Sequence, residues 1–280
     1  MRKLLTFITI SSLAISLTAC GNTAGKNKVK TDSSAILPSA QSTATDPSLE
    51  NVKNAGELKI GLEGDWQPFS YHDESDKLVG YDTEVATAIA EKLGVKASIT
   101  EASWDGLLTG LSTGVYDVVV NGVDVTEERK QAFDFSDPYA YDHIDLVVKA
   151  DNTEITSFDD LKGKVSTNST GSTYAELGEK YGASIKNVPT LAQTMELVKN
   201  GTADATINAD TSIQDYFNTT GETNLKVVAK LDEVTEYAIP VKKGNITLRD
   251  AINNAIKELR EDGTLKSLSE KYFGADLTEK

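Results

Sequence analysis

The chain has 280 residues and carries 43 Asp and Glu against 28 Lys and Arg, a formal net charge of −15 at pH 7. A surface of this sign repels the phosphates of nucleic acids and the headgroups of anionic lipids, so the composition argues against a nucleic-acid-binding protein. Cys20 is the only cysteine, which excludes a disulfide within the chain. The two histidines, His72 and His143, stand in no metal-ligand spacing, and no metal site is predicted.

The N-terminus has the pattern of a secretion signal. Arg2 and Lys3 precede an apolar stretch over residues 4–17, which is shorter than the roughly 20 residues that cross a bilayer. The stretch ends in Leu-Thr-Ala-Cys-Gly, which resembles the bacterial lipobox, where the cysteine carries lipid after cleavage. Lipidation would account for a single cysteine in a secreted chain, and an ordinary signal peptide with an incidental cysteine is the alternative. The sequence predicts a signal peptide at 1–19 and a lipid anchor on Cys20, on the extracellular face of the cell membrane.

The composition changes over residues 20–54. This segment is rich in Ser, Thr, Ala, Asn, Lys and Asp and contains few large apolar side chains. Such a segment cannot bury enough apolar surface to offset the entropy lost on ordering, so it is predicted to be a flexible tether. The rest of the chain, roughly 225 residues, is long enough for one large domain or two small ones.

From residue 57 onward, predicted strands and helices alternate. Period-two alternation or short apolar runs predict strands, and apolar side chains at helical spacing predict helices. In chain order the predicted elements are a strand at 58–62, a helix through 85–93 ended by Gly94, a strand at 96–100, a helix through 107–111 ended near Gly114, strands at 118–120 and 146–148, a strand at 165, a helix from 174, a helix at 195–200, strands at 203–207 and 237–241, and a helix at 248–261.

Repeated alternation of strand and helix predicts an α/β fold with mostly parallel sheets. Open α/β sheets bind ligands at the carboxyl ends of their strands. The predicted location of the site is therefore the set of loops that follow Leu62, Val120, Thr167 and Ile207.

Several ordered motifs resemble those of one family, the polar-amino-acid solute-binding proteins of ABC importers. The motifs are Ile-Gly-Leu-Glu-Gly-Asp-Trp-Gln-Pro-Phe at 60–69, Leu-Val-Gly-Tyr-Asp at 78–82, Arg129 followed by Phe-Asp-Phe-Ser-Asp-Pro-Tyr at 133–139, Glu-Asp-Gly-Thr at 261–264, and Lys-Tyr-Phe-Gly at 271–274. The resemblance covers about residues 55–275, nearly all of the chain beyond the tether.

The resemblance implies a two-lobed α/β fold of the periplasmic-binding-protein type, type II, with two hinge crossings. It places lobe 1 at 55–141 plus 236–280 and lobe 2 at 142–235. It also implies a monomer whose lobes close on a free amino acid, which is then delivered to an ABC permease in the membrane.

Arg129 is the predicted partner of the carboxylate of that amino acid. A planar guanidinium holds a carboxylate with two parallel hydrogen bonds. The resemblance gives this role to the arginine of a Thr-x-x-Arg segment, which here begins at Thr126. The alternative is a solvated helix arginine that pairs with Glu127 or Glu128.

The loop before this helix carries Asn121, Gly122 and Asp124. The resemblance implies that its backbone, with a Ser or Thr at the position of Asp124, holds the charged groups of the ligand. Asp124 departs from that pattern, and a carboxylate beside the ligand carboxylate would repel it. We therefore expect Asp124 to face the α-ammonium group. The alternative is an acidic residue favoured by the positive end of the helix dipole.

In lobe 2, Gly171, Ser172 and Thr173 precede a predicted helix whose N-terminal N–H groups can bind an anion. The resemblance implies that this loop contacts the ligand carboxylate when the lobes close. Helix capping by Ser172 or Thr173 is an alternative that can hold at the same time.

A second departure lies at Ala209, because the family usually places an Asp there, directly after the position of Asn208. In this chain Asp210 follows instead. Either Asp210 or Asp124 accepts the α-ammonium group, and we expect Asp124 to do so.

Trp66 and Trp104 match positions where relatives place aromatic walls around the ligand side chain, with ordinary core packing as the alternative. Glu63 matches an acidic position on the pocket floor. L-cystine is the favoured ligand, with glutamine or another polar amino acid as alternatives. Three segments look closest to cystine-binding members, and they are 63–64, 94–96 and 203–208.

The sequence predicts no catalytic residue and no cofactor. It contains no Gly-x-Ser-x-Gly elbow, Walker loop or dinucleotide fingerprint. Asp82 is predicted to cap the helix that begins near Thr83, and Tyr139 to pack near the first hinge crossing. A dehydratase on the same fold and a ligand sensor for a membrane receptor are the alternative functions.

Overall fold

The computed structural model describes residues 46–280, so the predicted signal peptide, Cys20 and most of the predicted tether lie outside the described residues. The α-helices are α1 (Ser48–Ala55), α2 (Tyr81–Leu93), α3 (Trp104–Thr113), α4 (Glu127–Ala132), α5 (Thr173–Lys180), α6 (Leu191–Lys199), α7 (Asp210–Thr220), α8 (Ile246–Glu261) and α9 (Thr264–Phe273). The strands are β1 (Glu57–Leu62), β2 (Asp65–Trp66), β3 (Ser70–His72), β4 (Leu78–Val79), β5 (Lys96–Glu101), β6 (Val118–Val119), β7 (Phe133–Phe135), β8 (Ala140–Asp142), β9 (Ile144–Lys149), β10 (Val165–Asn168), β11 (Ser184–Asn187), β12 (Ala205–Ala209), β13 (Leu225–Lys230), β14 (Thr235–Tyr237) and β15 (Pro240–Lys242).

The first sheet lies within lobe 1 and has the strand order β5-β1-β6-β15-β7. β1 pairs in parallel with β5 and β6, whereas β15 runs antiparallel to β6 and β7. Because side chains alternate along a strand, the two valines of β6 face opposite sides. Val118 packs in the cluster that holds residues of α2 and α8, and Val119 packs with Leu107 and Leu111 of α3. Both faces of the sheet are therefore covered by helices.

The second sheet lies within lobe 2 and has the strand order β11-β10-β12-β9-β13. β10 pairs in parallel with β11 and β12, and β9 runs antiparallel to β12 and β13. Both sheets therefore combine parallel and antiparallel strands, so the expectation of mostly parallel sheets holds for three of the five strands in each.

Two short segments connect the sheets. β8 leads into β9 through His143, and β13 leads through β14 to β15. β8 and β14 pair with each other in antiparallel fashion, with Ala140 opposite Tyr237. The exact limits of the two lobes stay a prediction.

The prediction that the tether extends to residue 54 is wrong at its C-terminal end. Residues 48–55 form α1, which packs against α8 and buries Val52. The Ser48 hydroxyl lies 3.0 Å from the Thr247 hydroxyl, which ties the start of α1 to α8. The helix ends at Gly56 with φ 71°, a left-handed conformation that costs glycine little. The sequence analysis missed α1 because each turn of this short helix has only about one apolar residue, which is too few to distinguish the segment from the tether by composition.

The prediction that Asp82 caps a helix is also wrong. α2 begins one residue earlier, at Tyr81, and its N-cap is Gly80 with φ 123°. A side chain at Gly80 would lie 2.3 Å from the Phe69 carbonyl oxygen, so the close approach requires glycine. Asp82 is buried inside lobe 1 instead. Among residues 46–280, no helix is long and apolar enough to cross a membrane.

Candidate ligand-binding site between the lobes

A cavity lies between the lobes at the carboxyl ends of β1, β6, β10 and β12. Every predicted ligand residue lines it except Gly171 and Asp210. The lining residues are Glu63, Asp65, Trp66, Trp104, Asn121, Gly122, Asp124, Arg129, Ser169, Ser172, Thr173, Tyr174, Pro189, Thr190, Leu191 and Asn208. The four loops predicted to hold the site therefore meet at one place.

Arg129 is buried at the N-terminal end of α4. The Thr126 hydroxyl, which caps this helix, accepts a hydrogen bond from the Arg129 backbone N–H at 3.1 Å. The guanidinium donates to two backbone carbonyls, from Nη1 to Asp124 O at 3.2 Å and from Nη2 to Gly171 O at 3.4 Å. Its Cζ lies 5.1 Å from the centre of the Trp104 ring, at cation–π distance.

The charge of Arg129 has no carboxylate partner within the described part of the chain. Glu127, one of the partners considered above, pairs with Lys130 at 2.8 Å. Arg129 is 8% exposed, which does not fit a solvated surface arginine. A buried cation whose hydrogen bonds go only to neutral carbonyls favours an anionic ligand group beside it, because a buried charge without a salt bridge is costly.

Asp124 faces the same cavity and is 7% exposed. Its carboxylate accepts a hydrogen bond from the Thr173 hydroxyl, which belongs to the opposite lobe. Burial raises the pKa of Asp124 to about 6, although the Arg129 charge and the Thr173 hydroxyl oppose the shift. The group is therefore ionised at neutral pH and can accept a hydrogen bond from an ammonium group.

Glu63 and Asn121 are held together by two hydrogen bonds. The Glu63 backbone N–H donates to Asn121 Oδ1 at 2.8 Å, and Asn121 Nδ2 donates to Glu63 Oε2 at 2.8 Å. Burial raises the pKa of Glu63 to about 7, and the bond from Asn121 opposes the shift. The pair joins the loops after β1 and β6 and presents a second acidic group to the cavity.

Trp66 forms an aromatic wall that contacts both lobes. Its ring stacks on Phe69 with centroids 4.2 Å apart, and its Nε1 donates to Asn208 Oδ1 of lobe 2 at 3.3 Å. Gly122 lies against the ring with φ 49°, and a side chain there would come within 2.6 Å of Trp66 Cζ3. The loop can follow this path only because residue 122 is glycine.

The loop of lobe 2 caps a helix. The Ser172 hydroxyl accepts a hydrogen bond from the Ala175 backbone N–H at 3.1 Å, so Ser172 is the N-cap of α5. Gly171 contributes its carbonyl oxygen to Arg129 rather than lining the cavity. The capping alternative therefore holds, and contact with a ligand carboxylate stays a prediction.

The structure does not bring Asp210 to the cavity. Asp210 opens α7, and its carboxylate pairs with Lys230 Nζ of β13 at 2.7 Å. The hydrogen bond from the Asp210 backbone N–H to His143 O, at 2.9 Å, holds it on the hinge side of lobe 2. In this arrangement Asp210 does not reach the cavity, which favours Asp124, and the assignment of the ammonium partner stays a prediction.

Sequence reasoning missed several lining residues. Ser169 follows β10 and Asn208 lies near the carboxyl end of β12, so the carboxyl-end rule pointed to both places without assigning either residue to the site. Pro189 to Leu191 follow β11, a strand whose weak apolar pattern escaped prediction. Within residues 46–280 no group of three or more His, Cys, Asp or Glu side chains is placed to hold a metal ion.

Residues 58–275 match the family described as bacterial extracellular solute-binding proteins, family 3. The chain is 37% identical over 279 residues to the L-cystine-binding protein TcyA of Bacillus subtilis (strain 168), and the match covers 99% of each chain. It is 37% identical over 243 residues to the L-cystine-binding protein TcyJ of Escherichia coli (strain K12), covering 86% of this chain and 91% of the relative.

Two solved structures illustrate the similarity of the fold. An ancestral arginine-binding protein bound to glutamine has a TM-score of 0.74 at 38% identity, covering 78% of this chain and 98% of the other. The L-cystine solute receptor of Neisseria gonorrhoeae, in the unliganded open conformation, has a TM-score of 0.56 at 39% identity, covering 83% and 99%.

These matches confirm the predicted two-lobed α/β binding-protein fold with two hinge crossings. The curated relatives are named as binding proteins, one of them as a probable amino-acid ABC transporter-binding protein, so the chain is a solute-binding protein and not an enzyme. On the match over residues 58–275 and on identities of 37% along nearly its whole length, the chain belongs to the bacterial extracellular solute-binding proteins of family 3.

Proposed function

We propose that the protein captures a free amino acid outside the cell, with L-cystine as the favoured ligand, and delivers it to an ABC permease. The lobes would close around the ligand, and the closed form would be recognised by the permease. One observation carries the proposal. The cavity between the lobes holds a buried arginine, Arg129, without a carboxylate partner in the described chain, and the acceptor Asp124 lies nearby.

Arg129 would bind the α-carboxylate of the ligand. The guanidinium already spans both lobes through Asp124 O and Gly171 O, so a carboxylate beside it would contact both halves of the site. Charge-assisted hydrogen bonds of this kind contribute roughly 1.5–3 kcal/mol each. A micromolar affinity corresponds to about −8 kcal/mol, so the pair supplies much of the binding energy but not all of it.

Asp124 would accept the α-ammonium group. It is ionised at neutral pH and lies in the same loop as Asn121 and Gly122. Since Thr173 occupies one of its oxygens, the contact also links the ammonium site to lobe 2. Arg129 and Asp124 thus offer opposite charges to the two ends of a zwitterion.

The other acidic residues of the cavity favour a ligand whose far end carries a second positive charge or a hydrogen-bond donor. One Arg faces three carboxyl groups in the cavity, because Glu63 and Asp65 line it in addition to Asp124. L-cystine carries two ammonium groups, two carboxylates and a disulfide; its second ammonium group can donate to these acidic residues, and the disulfide can pack against Trp66 or Trp104. Relatives TcyA and TcyJ, at 37% identity, are named as L-cystine-binding proteins. Glutamine or another polar amino acid would bind Arg129 and Asp124 in the same way and would differ in the contacts of its side chain.

Closure would be favoured by direct bonds between the lobes. Trp66 donates to Asn208, Thr173 donates to Asp124, and the Tyr174 and Tyr237 hydroxyls lie 3.2 Å apart. A ligand shifts the open-to-closed equilibrium only as far as it binds the closed form better. The TM-score is 0.56 against the open L-cystine receptor and 0.74 against the glutamine-bound protein, at nearly equal identity. This difference supports a closed arrangement of the lobes here.

Lipid on Cys20 would hold the protein on the extracellular face of the cell membrane, as a monomer. Cys20 lies outside the described residues, and this part of the proposal depends on the lipobox pattern alone. Cleavage before Cys20 would remove two of the 28 basic side chains and none of the 43 acidic ones, so the mature surface would be more acidic still.

Isothermal titration with L-cystine, L-arginine and L-glutamine tests the ligand. We expect L-cystine to bind tightest and Glu63→Gln to weaken L-cystine more than L-glutamine. Dithiothreitol supplies a control, because it reduces cystine to cysteine while the chain beyond Cys20 contains no cysteine to reduce. Binding that survives dithiothreitol, or a preference for another amino acid, would contradict the cystine assignment and leave the amino-acid site intact.

A further inference from the structure

A buried chain of hydrogen bonds runs beneath the cavity loop. The Gly122 backbone N–H donates to the Tyr139 hydroxyl oxygen at 3.1 Å, and the Tyr139 hydroxyl donates to Asp82 Oδ1 at 2.7 Å. Tyr139 and Asp82 are both 0% exposed. Neither residue lines the cavity, so neither contacts the ligand in the proposed function.

The direction of the Tyr139 hydroxyl is determined by its neighbours. A backbone N–H can only donate, so the Tyr139 oxygen accepts from Gly122 and its proton points to Asp82. The second oxygen of Asp82 has no hydrogen-bond partner within the described residues. Burial raises the pKa of Asp82 to about 7, and the Tyr139 hydroxyl and the Gly122 amide oppose that shift.

A buried carboxyl group with one unpartnered oxygen lowers stability compared with an apolar core of the same shape. Core packing alone therefore does not account for an aspartate and a tyrosine hydroxyl at these positions. Their shared feature is the hydrogen-bond chain that ends at Gly122, and Gly122 with Val123 separates two lining side chains, Asn121 and Asp124.

Gly122 has little freedom to move. Its α-carbon lies against the Trp66 ring, so closely that an added methyl group would come within 2.6 Å of Cζ3. A loop displaced toward the Trp66 ring would collide with it, and one displaced away would carry Asn121 and Asp124 out of position.

We infer that Tyr139 and Asp82 are positioning residues of the binding site, which hold the Gly122 loop so that Asn121 and Asp124 face the ligand. Above about pH 7, where Asp82 is ionised, it accepts the Tyr139 hydroxyl proton and so leaves the hydroxyl oxygen free to accept from the Gly122 N–H. The inference rests on the proposed amino-acid binding, because it assigns these residues to the placement of that site.

Tyr139→Phe removes the bridging hydroxyl, and Tyr81→Phe supplies a matched control. Tyr81 is also 0% exposed, stacks on Tyr139 with centroids 5.9 Å apart, and donates its hydroxyl proton to the Tyr139 backbone carbonyl at 2.9 Å. Both variants lose one buried hydroxyl in the same part of lobe 1, and only Tyr139→Phe breaks the link to Gly122.

Two readouts are needed. Amide hydrogen exchange by NMR, on the protein without added ligand, reports the Gly122 N–H directly. Titration with L-cystine reports the affinity. We expect Tyr139→Phe to exchange about tenfold faster at Gly122 and to bind L-cystine about tenfold more weakly, because a buried donor loses its partner. Asp82→Asn, which leaves a neutral acceptor, should change both in the same direction by less. Tyr81→Phe should stay within about twofold of wild type in both, because the Tyr81 hydroxyl bonds the Tyr139 backbone carbonyl and leaves the bond between Tyr139 and Gly122 in place.

Equal Gly122 exchange and equal affinity in Tyr139→Phe and Tyr81→Phe would overturn the inference, since a purely structural role affects both variants alike. Faster exchange with unchanged affinity would also overturn it, because the loop would move without consequence for the ligand. If wild type does not bind L-cystine, the ligand assignment fails, and the exchange comparison still decides whether Tyr139 holds the loop.

Discussion

Asp124→Asn removes the negative charge of Asp124 and keeps the size and shape of its side chain. The amide oxygen of asparagine can still accept from the Thr173 hydroxyl, so the bond between the lobes is retained while the negative charge is lost. At pH 8, above the pKa of about 6, wild-type Asp124 is ionised. The substitution therefore replaces a charge-assisted bond to the ligand ammonium by a neutral one.

The expected loss follows from the worth of that bond. A charge-assisted hydrogen bond contributes roughly 1.5–3 kcal/mol and a neutral one roughly 0.5–1.5 kcal/mol, a difference of about 5- to 13-fold in the dissociation constant, and the ligand ammonium also loses its counter-charge. We expect Asp124→Asn to weaken binding at least tenfold in isothermal titration at pH 8. Asp210→Asn is the control, because Asp210 pairs with Lys230 outside the cavity and should change affinity by less than about threefold.

Two results would refute this reasoning. Similar affinities for wild type and Asp124→Asn would show that the ammonium group lies elsewhere. A larger loss in Asp210→Asn than in Asp124→Asn would return the ammonium site to the position after Asn208. Thermal unfolding of both variants shows whether a loss of affinity reflects a loss of folded protein.

Two further predictions concern stability and the cavity loop. Burial raises the pKa of Glu63, Asp82 and Asp142 to about 7, whereas unfolded carboxyl groups titrate near 4. Between these pH values the folded state binds more protons than the unfolded state, so the free energy of unfolding rises as pH falls. We expect the melting temperature at pH 5 to exceed that at pH 8 by about 4 °C or more. A flat or opposite trend would contradict the raised pKa values of these three carboxyl groups. Gly122→Ala should abolish measurable binding, because residue 122 has a left-handed backbone conformation and the added methyl group would collide with Trp66. Circular dichroism should show that lobe 1 still folds. An affinity within threefold of wild type would refute the close approach of Gly122 to Trp66.

Much of the fold follows from local sequence patterns. Alternation in 58–62 and helical spacing through 85–93 predicted β1 and α2, and glycines in the left-handed conformation end α2 and α3 at Gly94 and Gly114. The carboxyl-end rule placed the cavity at the correct loops. Arg129 was identified from its motif, and its burial without a carboxylate partner in the described chain fits that prediction.

Other features depend on contacts between distant residues. β11 has only one half-buried apolar residue, Ile185, so its pattern resembled a loop. Asp82 was assigned to a helix cap because the sequence does not reveal Tyr139, 57 residues away, as its partner. Asp210 and Asp124 are both acidic candidates in the sequence, which does not reveal that Asp210 pairs with Lys230 outside the cavity. Local patterns cannot resolve such choices, because each depends on which strands become neighbours.

The most direct test of the central claim is a thermal-shift screen of the purified protein against the twenty amino acids and L-cystine. The screen is repeated with Arg129→Ala and with a control, Arg249→Ala, whose arginine pairs with Asp250 and does not line the cavity. A ligand that binds only the folded state raises the melting temperature by mass action. We expect a dose-dependent rise with L-cystine that persists in Arg249→Ala and disappears in Arg129→Ala. No shift with any amino acid, or a shift that Arg129→Ala leaves unchanged, would contradict the account.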